Sequence, residues 1–181
     1  MKAYCISGLG ADQRVYDSLD LKYEKVPLNW IKPHKNESLK SYAMRLSQNI
    51  DKDEKFIIIG VSFGGLIAVE ISKILKPEFT VLISTVEKSS ELPIHYRLIS
   101  KINFIKFLHP KFFNLPFIIA SFLFGTKNPL LKDILKDSDL SFTKWAINSL
   151  LKWKSKENIE NTLRINGTSD LILSSKNQIF K

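Results

Sequence analysis

The chain has 181 residues, 44% of them hydrophobic and 25% charged, with a formal net charge of +9. That length and apolar content suit one compact domain with a real core and exclude wholesale disorder. One cysteine, Cys5, excludes a disulfide framework and a cysteine-based zinc site.

Strands and helices alternate through the first half. Ala3 to Ser7 is predicted as a short apolar strand that ends at Gly8 and Gly10, with Cys5 a small buried residue inside it. The amino terminus enters this strand at once, without a long apolar signal region, so a cytoplasmic protein is expected. Tyr23 to Trp30 reads as a second strand closed by Pro33. Asn36 or Ser38 caps a helix whose Leu39, Tyr42, Ala43, Leu46 and Ile50 share one face. Asp51 to Lys55 is a charged turn. Phe56 to Ile59 is apolar at successive positions, as a strand buried on both faces must be. Gly64 to Leu75 is helical and Pro77 follows it. Phe79 to Ser84 is a fourth strand.

The alternation then stops. Residues 89–157 read as a helical insertion rich in aromatic and aliphatic clusters, including the run Phe112 to Gly125, which is too short to span a bilayer. Its last helix puts Phe142, Trp145, Ala146, Leu150 and Trp153 on one face, with Asp139 or Ser141 as its cap. Residues 86–157 hold 12 Lys and Arg against 6 Asp and Glu, so most of the positive excess sits here. The lysines are interspersed with acids and apolar residues. This favours a solvated surface, with weak contact to a membrane surface as the alternative, and argues against nucleic acid. Thr162 to Ile165 is a fifth strand, followed by the turn from Asn166 to Asp170.

Such alternation predicts an α/β fold: a doubly wound parallel sheet of order 2-1-3-4-5, with a helical cap inserted after the fourth strand. The core is then 1–88 and 158–181, and the cap 89–157. In that order the first and third strands are neighbours, and a ligand crevice lies beyond their carboxyl ends. The loop Ser7-Gly8-Leu9-Gly10 and the turn from Gly60 to Gly65 would share it.

Within the second turn, Gly60, Ser62 and Gly64 form G-x-S-x-G between a buried strand and a helix, the context that makes this motif informative. The turn lifts Ser62 outward as a nucleophile. The Phe63 N–H, with a second N–H expected from Leu9, would make an oxyanion hole. The competing readings are a glycine turn shaped for packing, or a phosphate loop. No lysine follows the turn as a phosphate loop requires.

With these segments, and with the strand FTVLIST and the turn INGTSDLIL, nearly the whole chain resembles the α/β-hydrolase fold superfamily, and small bacterial esterase-like members in particular. The resemblance implies Ser62 as nucleophile, Leu9 and Phe63 as oxyanion donors, and Asp170 as the triad acid. It also implies that 89–157 roofs an acyl pocket. Taken alone, Asp170 is as well read as an ordinary turn residue. An apolar ester is the expected substrate, with Phe104, Phe107, Phe112, Phe117 and Phe122 among the cap residues available to hold it. No metal or organic cofactor is implied.

The sequence departs from the family pattern at the base. The family places its histidine after one more strand, whereas this chain reaches Lys181 as Gln178 to Lys181 begins to look like that strand. His34, His95 and His109 are the histidines present, and His95 is the one nearest the expected pocket. Two expectations follow: a carboxyl-terminal truncation of a working hydrolase, or a natural pseudo-enzyme that keeps an apolar pocket. A peripheral membrane protein is the third reading. Truncation would leave very weak esterase activity and an exposed sheet edge at Thr162 to Ile165, which would promote self-association.

Overall fold

A computed structural model describes residues 1–17, 19–94, 96, 108–109 and 139–167. Five parallel strands form one sheet: β1 (Lys2–Ile6), β2 (Glu24–Pro27), β3 (Phe56–Val61), β4 (Phe79–Ile83) and β5 (Thr162–Ile165). Their order is β2-β1-β3-β4-β5, as expected. Ile6 lies opposite Gly60, and Gly60 opposite Leu82, so the ends of β1, β3 and β4 are level. β3 runs through the middle, and five of its six residues are buried. This explains its unbroken apolar text. Burying Ile58 and Ile59 contributes about 1.5–3 kcal/mol each.

Side-chain parity splits the core in two. Tyr4, Ile6, Phe56, Ile58 and Leu82 point to the face covered by three helices: α1 (Leu39–Leu46), α2 (Phe63–Leu75) and α3 (Leu140–Lys152). Ala3, Cys5, Ile57 and Ile59 point to the other face, where Tyr16 is buried with them and Val15, Leu19 and Leu21 pack alongside. Ser38 is the cap of α1, its Oγ accepting from the Ser41 N–H at 3.1 Å. α2 ends where Lys76 turns left-handed (φ 48°), just before Pro77. Asp139 caps α3 by accepting from the Ser141 and Phe142 amides.

The second strand is shorter than the sequence expectation. β2 ends at Pro27 rather than Trp30. Leu28 still donates to the Cys5 carbonyl at 2.9 Å, after which the chain turns so that Trp30 packs on Phe63. α3 is anchored in the main core: Phe142, Ala146 and Trp153 are buried there, and the Trp145 indole donates to the Glu37 carbonyl at 2.9 Å. The apolar run Phe112 to Gly125, Phe104, Phe107, His95, Asp170 and the stretch Gln178 to Lys181 lie outside the described residues. Among the described residues no helix is long and apolar enough to cross a membrane.

Candidate active site

The last strand residue of β3 is Val61 and the first helical residue of α2 is Phe63, so one residue makes the whole turn. That residue is Ser62, at φ 51° and ψ −119°. A backbone held there costs about 1–3 kcal/mol, so it persists only where its surroundings over-determine it. They do. The Ser62 N–H donates to the Ile83 carbonyl at 2.9 Å. Its carbonyl accepts from the Gly65 N–H at 2.9 Å and from the Thr85 hydroxyl at 2.8 Å. The side chain is left half-buried and makes no capping hydrogen bond to its own helix.

Two glycines make this turn possible by close approach. A methyl at Gly64 would overlap the carbonyl oxygens of Ile6 and Ser7. A methyl at Gly60 would sit 2.7 Å from the Gly64 carbonyl and 2.8 Å from the Ala68 methyl. Strand end, helix start and the exit of β1 are thus in backbone contact.

The loop after β1 is built differently. Ala11 N–H donates to the Gly8 carbonyl at 3.0 Å, and Gly10 has φ 71°. Leu9 is not in the left-handed region, so Gly8–Ala11 is a type II turn with its glycine at the third position. The Ala11 carbonyl accepts from the Ser7 hydroxyl at 2.8 Å and from the Trp30 indole at 3.3 Å. Below the loop, the buried Tyr16 hydroxyl donates to the Ile6 carbonyl at 2.6 Å and lies 3.4 Å from that of Ile59, bridging the ends of β1 and β3. Burial holds the Tyr16 phenol far above its ordinary value, so it stays a donor. Burial also pushes the Cys5 thiol up to about 11, as expected of an inert core residue.

The two turns meet at Gly8. A Cβ there would lie 3.5 Å from the Ser62 Cβ, ordinary contact distance, so the glycine leaves the approach to Ser62 open. Leu9 packs half-buried on the main core and Phe63 is buried in it. Among the described residues neither the Leu9 nor the Phe63 N–H donates a hydrogen bond. The Phe63 amide stands at the start of the 13-residue α2, the helix end that attracts negative charge.

Of the remaining predicted residues, Asp170 lies outside the described residues, which reach Gly167 in the turn before it. Ser84 N–H donates to the Ile165 carbonyl at 2.8 Å, and Thr85 N–H to the Asn166 side chain at 3.3 Å. His34 is exposed in the loop before α1, its own amide donating to Glu37. No histidine hydrogen-bonds to Ser62 among the described residues. Sequence reasoning missed Tyr16, Trp30 and Thr85. Each reaches its partner across 10 or more positions, with no local pattern to announce it.

No protein-family model and no curated protein sequence matches the chain. Among solved structures, a marine microorganism esterase superposes with a TM-score of 0.53 at 17% identity, covering 92% of this chain and 76% of that one. The fold is that of the α/β-hydrolases. MenH from S. aureus aligns with a TM-score of 0.48 at 15% identity. There the alignment covers 85% of this chain, which spans 62% of the MenH length.

Proposed function

We propose that this α/β-hydrolase-fold protein is a serine hydrolase that cleaves an apolar acyl ester. The observation that carries the reading is the backbone of Ser62: a strained residue alone between a buried strand and a helix, pinned by Ile83, Gly65 and Thr85.

In this reading Ser62 Oγ adds to the ester carbonyl carbon and its proton passes to a base. The carbonyl oxygen takes up negative charge opposite the Leu9 and Phe63 amides. Collapse of the tetrahedral adduct expels the alcohol, which takes the proton and leaves an acyl-serine. Water then adds by the same route and releases the acid. Asp170 is the acid that orients the base. Residues 89–157 are the cap that encloses the acyl group, with α3 as its fixed end on α1 and α2.

Among the described residues no histidine bonds to Ser62, and the base is the one role these residues leave unassigned. The second reading is a silent module that binds an apolar ligand. Short-chain and long-chain aryl ester hydrolysis by the parent and by Ser62→Ala separates the two. The hydrolase reading expects a rate above Ser62→Ala, and equal rates remove Ser62 from any mechanism.

A further inference from the structure

We propose that Trp30 is a positioning residue for the oxyanion donors: its indole N–H fixes the turn that carries Leu9 against the residue that carries the other donor, Phe63. The inference rests on the serine hydrolase reading of Ser62 and adds to it a residue that acts through its neighbours.

Trp30 lies past the end of β2, outside any strand or helix. Its place is set from behind by Tyr42 of α1. The Ile31 N–H donates to the Tyr42 hydroxyl at 2.9 Å, and that hydroxyl donates to the Ile31 carbonyl at 2.9 Å. Tyr42 is fully buried, and burial pushes its phenol up to about 12, so the hydroxyl keeps the proton that one of these bonds needs. On the other side, the Leu28 N–H is anchored to the Cys5 carbonyl at 2.9 Å. The indole thus hangs from a segment held both before and after it.

From that anchor the side chain reaches two parts of the candidate site. Its N–H donates to the Ala11 carbonyl at 3.3 Å, which also accepts from the Ser7 hydroxyl at 2.8 Å. Ala11 closes the turn through its own bond to Gly8 at 3.0 Å, so Leu9 lies between two tied ends. The Trp30 ring packs on that of Phe63, with centroids 5.8 Å apart, and on Phe142 of α3 at 5.1 Å. Phe63 is the first residue of α2 and follows Ser62 directly. One half-buried side chain therefore joins the loop after β1, the start of α2 and α3. An indole N–H packed in a core is satisfied by any nearby acceptor. This one is spent on the carbonyl that closes the donor turn. Two donors stabilise an oxyanion only while their spacing is held, and a misplacement of about 1 Å costs on the order of 10²-fold.

The test replaces the Trp30 indole with its sulfur isostere, benzothienylalanine, which keeps the bicyclic ring and lacks the N–H. Trp30→Phe is measured beside it. Hydrolysis of an aryl acetate is expressed per chain that a fluorophosphonate can label at completion. In both variants kcat should fall about three- to tenfold, with KM within about twofold of the parent. The labelling rate constant should fall with kcat, while every chain still takes its group on Ser62. A residue that only packs the core would lower the urea midpoint or the labelled fraction and leave kcat per labelled chain unchanged. Parent kcat per labelled chain in the isostere, or a rise in KM alone, would overturn the positioning role. Ser62→Ala sets the baseline. A parent that does not exceed it overturns the hydrolase reading and this inference with it, whereas a parent above it with an indifferent Trp30 overturns this inference alone.

Discussion

The two turns that meet above the sheet are held by opposite means. The turn at Ser62 is jammed: Gly60 and Gly64 bring backbone against backbone, so that even a methyl group has no space. The loop after β1 is tied: a glycine at Gly8 could carry a side chain, but Ser7, Trp30 and Tyr16 reach in and hold carbonyls. A jammed turn is fixed by what is absent from its sequence, and fails when anything is added. A tied loop is fixed by polar tips from other segments, and loosens when one is removed. In the hydrolase proposed above, the first device would suit a nucleophile that must stay strained, and the second a donor loop that must stay close to it.

The largest predicted effect breaks the jam. Gly64→Ala forces a Cβ into two carbonyl oxygens that cannot move without shifting β1. The loss should be at least about 3 kcal/mol, read as a collapse of the urea midpoint or as failure to fold. Parent-like stability would mean that the turn is not sterically fixed. Next comes a tie. Tyr16→Phe keeps the ring and strips the Ile6 carbonyl of its buried donor, at a cost of about 1–3 kcal/mol in the same measurement.

Thr85 sharpens the comparison because it serves the jam through a tie. Its hydroxyl holds the Ser62 carbonyl, while its side chain fills the space that Gly65 vacates. Thr85→Val should cost about 1 kcal/mol, whereas Thr85→Ser should keep the hydrogen bond and lose only packing. Parent-like stability in Thr85→Val would make the hydroxyl irrelevant.

The smallest effect lies away from both turns, where an ion pair does the holding. Hydrogen bonds from the Arg45 guanidinium hold the Glu37 carboxyl below its ordinary range, despite some opposing desolvation. Its contribution is fully present above the unfolded value, about 4.3, and is lost as pH falls through the lower folded value. Acid titration of the urea midpoint should show that loss, and Arg45→Met should flatten it by no more than about 1 kcal/mol.

Strand order and the Ser62 turn were legible in the sequence because their causes are local. β3 is apolar throughout since both its faces are buried, and G-x-S-x-G sits where a strand must hand over to a helix at once. Ser38 and Asp139 were readable as caps for the same reason. Trp30 was read as the end of a strand, because its real partners, the Ala11 carbonyl and the Phe63 ring, are 19 and 33 positions away. Arg164 sits in the short run Thr162–Ile165, where nothing nearby marks it as buried. Only the fold brings Glu91 to it, at 2.5 Å.

Peptide mapping after exposure to a fluorophosphonate tests the account at its centre. If the turn raises a reactive hydroxyl beside free amides, one covalent phosphonyl group should appear on the peptide containing Ser62, slowly, and should be missing from Ser62→Ala. Labelling confined to other serines, or an identical adduct in Ser62→Ala, would contradict it.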